Sequence, residues 1–125
     1  MKYIRTKDTI VDFDKAFEGG YYDIDGNLYT PNSDGLSVSL IDFDKLFGCK
    51  TRKADTIKEL CDEWICRDNR GKEYKPYRFY FLDDLYAFIK ENRLFEQYTI
   101  YGAIWTDKGL IYVAKMNEKG ELELL

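Results

Sequence analysis

The chain has 125 residues, 45% of them hydrophobic and 17% aromatic, a length suited to one domain that buries roughly two-thirds of its unfolded surface without disulfides or a structural metal. Its net charge of −4, from 23 acids and 19 bases, is too mild for a DNA mimic and of the wrong sign for a generalised nucleic-acid binder. There is no histidine, which excludes Ser-His-Asp and Cys-His catalysis, and Cys49, Cys61 and Cys66 are odd in number with no Cys-x-x-Cys pair, so reduced structural thiols and no metal or other cofactor are expected.

No apolar run reaches the length of a membrane span, and the Met1–Arg5 start lacks the apolar segment of a signal peptide. A soluble, intracellular protein is expected. Its fold is read as a single α+β domain over residues 1–125, an antiparallel sheet with two main amphipathic helices and a C-terminal three-stranded meander. An enzyme on this chain would have to work with carboxylates, Lys, Tyr or a bound Mg²⁺.

Tyr3–Val11 reads as a strand pair turning around Lys7-Asp8. Next comes an internal echo, in which Val11-Asp12-Phe13-Asp14-Lys15-Ala16-Phe17 recurs as Ile41-Asp42-Phe43-Asp44-Lys45-Leu46-Phe47 with five of seven positions identical. In each copy the first Asp can cap a short helix whose apolar residues fall at i, i+3 and i+4, with Gly19 and Gly48 as stops. Another reading makes Asp12, Asp14, Asp42 and Asp44 two Asp-x-Asp clamps for a Mg²⁺-dependent phosphoryl-transfer enzyme. Capping explains each pair sufficiently. One short echo does not establish a duplicated fold.

Tyr21–Thr30 alternates around Asp25-Gly26, a hairpin signal. Asp23, Asp25, Asn27 and Asp34 also match positions of a calcium loop, but Leu28 stands where that loop needs Gly and Asp34 where it needs a bidentate Glu. Turn residues are the better reading. Pro31–Gly35 is expected as loop and Leu36–Ile41 as a short strand.

Thr56-Ile57-Lys58-Glu59 has the pattern of a capping box, and Ile57, Leu60, Cys61 and Trp64 follow at the spacing of one helical face. A helix is therefore expected from Thr56 to Asp62 or Glu63, with Trp64-Ile65-Cys66 either finishing it or opening a strand. The second helix is expected to be capped at Asp83, with Leu85, Phe88 and Ile89 inward.

Between these helices, Arg67, Arg70, Lys72, Lys75 and Arg78 stand against only Asp68 and Glu73, with Tyr74, Tyr77 and Tyr80 interleaved. This stretch is the candidate binding surface, its named residues being Arg70, Lys72, Tyr74, Lys75, Tyr77, Arg78 and Tyr80. Bases with aromatics suit a nucleic acid or nucleotide, the cations holding phosphate while rings stack on bases. The same residue types dominate protein interfaces. The plain alternative is a solvated hairpin loop around Asn69–Lys72, with Phe79 and Phe81 toward the core and Arg78 and Tyr80 away from it. A protein partner is preferred, given the acidic remainder. Lys50-Thr51-Arg52-Lys53 is a second basic run that would enlarge the patch if it lay alongside.

Ile100–Trp105, Leu110–Met116 and Glu121–Leu125 are separated by Thr106-Asp107-Lys108-Gly109 and Asn117-Glu118-Lys119-Gly120, turns with a polar first residue and a left-handed Gly last. They read as the meander. Its Trp105, Ile111 and Val113 are expected in one core with Leu60, Trp64, Leu85, Phe88 and Ile89. Ile111, Val113, Leu124 and Leu125 are placed on a strand edge able to pair with a second copy, which leaves the oligomeric state open.

The segments Ala54–Glu63 and Tyr101–Met116, with the Tyr3-Ile4-Arg5-Thr6-Lys7-Asp8 start, resemble small proteins encoded by phages and prophages of Gram-positive bacteria. The resemblance covers about a third of the chain, and its motifs are structural, so it implies no catalytic residue; Val11–Cys49 has no counterpart in it. It implies a setting, the bacterial host cytoplasm, and a role as a non-enzymatic protein-binding module whose partner is a host or phage protein, with inhibition of a host defence system as one such role.

Overall fold

The structure is a computed structural model that describes residues 2–16, 21–22, 28–29, 42–68, 75–92 and 98–125. It is an α+β fold built on antiparallel sheets, and it divides into two compact units, residues 1–56 and 57–125. Among the described residues no helix is long and apolar enough to cross a membrane.

In the first unit, β1 (Tyr3–Arg5) lies between β2 (Ile10–Asp12) and β5 (Arg52–Ala54). The expected strand pair around Lys7-Asp8 forms, its turn held by the Thr6 hydroxyl oxygen, which accepts the Asp8 and Thr9 amides at 3.4 and 3.2 Å. Both echo segments become helical, α1 at Phe13–Ala16 and α2 at Phe43–Phe47. Asp12 and Asp42 cap them alike, each accepting the amide three residues on, at 3.3 Å from Lys15 and 3.2 Å from Lys45. Gly48 ends α2 in the left-handed conformation (φ 67°), as its position anticipates. The equivalent rings Phe13 and Phe43 meet edge to face at 5.8 Å and, with Ile4, form this unit's core. Asp44 is also engaged, since one carboxylate oxygen accepts both the amide and the hydroxyl of Thr51. Among the described residues no three Cys, Asp or Glu side chains gather to hold a metal ion.

The strands β3 (Tyr21–Tyr22) and β4 (Leu28–Tyr29) pair antiparallel, as the hairpin reading of Tyr21–Thr30 anticipates. Its turn, Gly19, the calcium-register residues, the Pro31–Gly35 loop and the Leu36–Ile41 strand lie outside the described residues.

The second unit is a five-stranded sheet in the order β10-β9-β8-β6-β7, comprising β6 (Glu63–Asp68), β7 (Tyr77–Phe79), β8 (Tyr98–Thr106), β9 (Gly109–Met116) and β10 (Leu122–Leu124). The last three strands are the expected meander, and Gly109 (φ 104°) and Gly120 (φ 80°) supply the positive φ its turns require. Of the residues expected on a strand edge, Leu124 is on β10, the outer strand on that side, but Ile111 and Val113 lie on β9, which runs between β8 and β10, and the Val113 carbonyl accepts the Leu125 amide at 3.0 Å.

The helix expected from Thr56 does not form. Only a 3₁₀ turn, Lys58–Leu60, is present, its N-cap Ile57 making no side-chain cap bond, and Cys61 turns to extended backbone. The strand reading of Trp64-Ile65-Cys66 prevails because β6 pairs on both sides, Trp64 with Phe79 and Gly102, and Cys66 with Tyr77 and Ile100. Ladders on both sides of Trp64–Cys66 outweigh a local capping pattern.

The second expected helix is α3 (Leu82–Asn92). Its start differs from expectation: the Phe81 carbonyl accepts the Leu85 amide, so Phe81 is at the cap and Asp83 sits inside the first turn, where its charge suits the helix dipole. Leu82 and Leu85 pack with Trp64, Cys66 and Ile100, and Ile89 and Phe79 lie against that cluster. Burial and the nearby Asp68 push the Cys66 thiol up to about 11.

Two aromatic placements are corrected. Trp105 is 48% exposed rather than in the core, because strand alternation sends the neighbouring Ile104 inward instead. Phe81 is 70% exposed, since β7 ends at Phe79 and the alternation that would have turned Phe81 inward stops with it.

Candidate protein-binding surface

Of the sequence-based candidates, Arg70, Lys72 and Tyr74 lie outside the described residues, while Lys75, Tyr77, Arg78 and Tyr80 lie on or beside β7. They do not act alike. Tyr77 packs its ring on Phe88 with centroids 4.7 Å apart, on the face of the sheet that carries α3. Lys75 is exposed, and Tyr80 is 73% exposed just past the strand end.

Arg78 points to the opposite face. Its register partner is Ile65, so Glu63, two residues along β6, is on the same side. The guanidinium donates from Nε to Glu63 Oε1 and from Nη2 to Oε2, both at 3.0 Å, a two-point fork on a carboxylate side chain that is only 3% exposed. These bonds raise the Arg78 pKa above its ordinary value, mainly through hydrogen bonding to Glu63. The same guanidinium lies over the Trp105 ring, 5.3 Å from its centroid. Trp105 is positioned in turn by Asp62, whose carboxylate accepts its backbone amide at 2.8 Å. Farther along this face Tyr101 and Tyr112 stack with centroids 4.9 Å apart.

The local sequence explains the assembly in part. Arg78 lies between Tyr77 and Phe79, so a strand that buries Phe79 must turn Arg78 to the other face. Glu63, Trp105, Tyr101 and Tyr112 were missed as site residues because they come from β6, β8 and β9, and only cross-strand register brings them beside β7. A sequence signal existed for Trp105 in its alternation with Ile104, but the shift in register between Gly102 and Ala103 breaks the simple count along β8 and β9.

The chain matches no protein-family model, no curated protein and no solved structure.

The second basic run, Lys50–Lys53, belongs to the other compact unit, where the Lys53 ammonium lies 5.0 Å from the Phe43 ring centroid. An open groove of about 420 Å³ lies at the start of β8, lined by Tyr98, Ile100, Lys115, Met116 and Asn117 among others. Beside it Tyr86 donates its hydroxyl to the Met116 sulfur at 3.5 Å, and burial raises the Tyr86 pKa.

Proposed function

We propose that the protein is a non-enzymatic binding module whose contact surface for a protein partner is the sheet face carrying Arg78 and Trp105, with Tyr80 at its rim. The observation that supports this is the fork from buried Glu63, which holds an exposed Arg over the ring of a half-exposed Trp. Trp, Tyr and Arg are the side chains that contribute most per residue to protein interfaces, and a side chain already held in place loses less entropy on binding. A buried ion pair is weak evidence for stability, so positioning is the better account of the Glu63 carboxylate. Phosphate binding by this face is less favoured, because a nucleic acid needs a longer row of uncommitted cations than the face provides among the described residues. The phage-like resemblance supplies the setting, a host or phage protein in the bacterial cytoplasm, and a defence factor of the host is one such partner.

Immobilised protein should retain a protein from lysate of a Gram-positive bacterium, and the Tyr80→Ala/Trp105→Ala variant should lose it. Retention should change little from low to moderate salt, whereas phosphate binding weakens steeply over that range. Retention of RNA or nucleotide with no protein would refute the proposal.

A further inference from the structure

We infer that the surface around Arg78 and Trp105 recognises a carboxylate of its partner, set beside an aromatic or aliphatic side chain; this rests on the protein-binding reading above. Glu63 takes Nε and one Nη2 hydrogen of Arg78, and Nη1 has no acceptor among the described residues. The edge formed by Nη1 and the second Nη2 hydrogen is therefore available, already oriented, and of the planar fork shape that matches a carboxylate. An arginine gripped by one buried carboxylate is still a donor to a second. Trp105, 48% exposed with the guanidinium over its ring, supplies apolar surface next to that edge, and Tyr80, two residues on from Arg78, is 73% exposed.

The charges here are nearly balanced and mostly committed. Arg67 follows Ile65 by two residues on β6 and Lys115 faces Tyr101 across the β8–β9 ladder, both exposed, while among the described residues the nearby acids are Glu63, paired with Arg78, Asp62, which accepts the Trp105 amide, and Glu123 opposite Lys115. The set of uncommitted cations is therefore small. It suits one or two carboxylates rather than the continuous phosphate charge of a nucleic acid, for which a longer row of uncommitted cations is needed.

A random linear-peptide library selected on the wild-type protein provides the test, with affinities of the enriched peptides measured by fluorescence anisotropy. Enriched peptides should carry Asp or Glu beside Trp, Tyr, Phe or Leu. Changing that acid to its amide should weaken binding to wild type by about tenfold or more, the loss of a charge-assisted bidentate contact. The same change should have little further effect on Arg78→Ala. Because that variant leaves Glu63 buried without its partner, Arg78→Lys is measured beside it; Lys retains a charge near Glu63 but has no fork, and should show the same insensitivity to the amide peptide. Peptides without an acid, an amide effect equal in wild type and Arg78→Lys, or no enriched peptide would each overturn the inference. If the lysate experiment still retains a protein that the Tyr80→Ala/Trp105→Ala variant loses, the carboxylate inference alone has failed; if it retains only RNA or nucleotide, the protein-binding reading has failed as well.

Discussion

Phe13 and Phe43 occupy equivalent positions of the repeated segment and meet edge to face, ring centroids 5.8 Å apart and planes at 86°. Each is almost fully buried, and each follows an Asp that caps its helix. The echo is thus a packing device, in which two copies of one short capped helix contribute one ring apiece to a shared core. Phe43→Ala should cost about 3–5 kcal/mol, the range for emptying a buried aromatic site, whereas Lys45→Ala on the exposed side of the same helix should change stability by less than about 0.5 kcal/mol. Urea unfolding of both variants checks the contrast. Equal effects would remove Phe43 from the core.

Asp44 gives a pH-dependent counterpart. Hydrogen bonds from the Thr51 hydroxyl and amide, with lesser help from Lys50 and Lys53, hold its carboxyl below the ordinary value of 3.8. A lowered folded-state value means that the contribution of Asp44 is complete above about pH 3.8, declines as pH falls below that, and is gone once the carboxyl is protonated in the folded protein. Thr51→Val removes the largest cause, so its stability deficit against wild type should be present at neutral pH and shrink on acidification through that window. Parallel urea titrations measure it. A deficit that stays constant to the acid end would mean that the hydroxyl acts by packing.

Gly102 is required for space. A Cβ there would lie 2.7 Å from Cys61 Sγ, 3.2 Å from the Trp64 ring and 3.5 Å from the Ala114 methyl. Gly102→Ala should therefore destabilise by about 1–3 kcal/mol, as overpacking of a well-filled core does. Adding Cys61→Ala removes the closest obstacle and should recover part of the loss. Additive effects of the two changes would argue against a steric cause.

The two tryptophans are distinguishable in solution. Trp64 is 3% exposed and Trp105 is 48% exposed, so acrylamide should quench the emission in two populations. Trp105→Phe should remove the accessible one and shift the remaining emission to the blue. A variant whose quenching matches wild type would place Trp105 inside, where strand composition alone had suggested it.

Local chemistry was readable wherever one or two residues decide the outcome. Asp12 and Asp42 as caps, Gly48 as a helix stop, and Gly109 and Gly120 in tight turns follow from backbone conformations that few other residues satisfy, so the meander and the paired short helices could be read along the chain. The residues from Thr56 to Cys66 went otherwise, because a capping pattern and a strand-forming run overlap there and neighbours distant in sequence choose between them. β6 pairs with β8 along its whole length and with β7 over Trp64–Cys66, which a short exposed helix cannot match. The candidate surface shows the same division. That Arg78 and Tyr80 stand in an aromatic, basic stretch is a property of the sequence, whereas Glu63 beneath Arg78 and Trp105 beside it depend on register across β7, β6 and β8. A strand pattern states which face a side chain takes. Only the assembled sheet states which side chains share that face within hydrogen-bonding distance, because cross-strand neighbours are set by pairing and by the irregularity at Gly102–Ala103, and neither is encoded in any single segment.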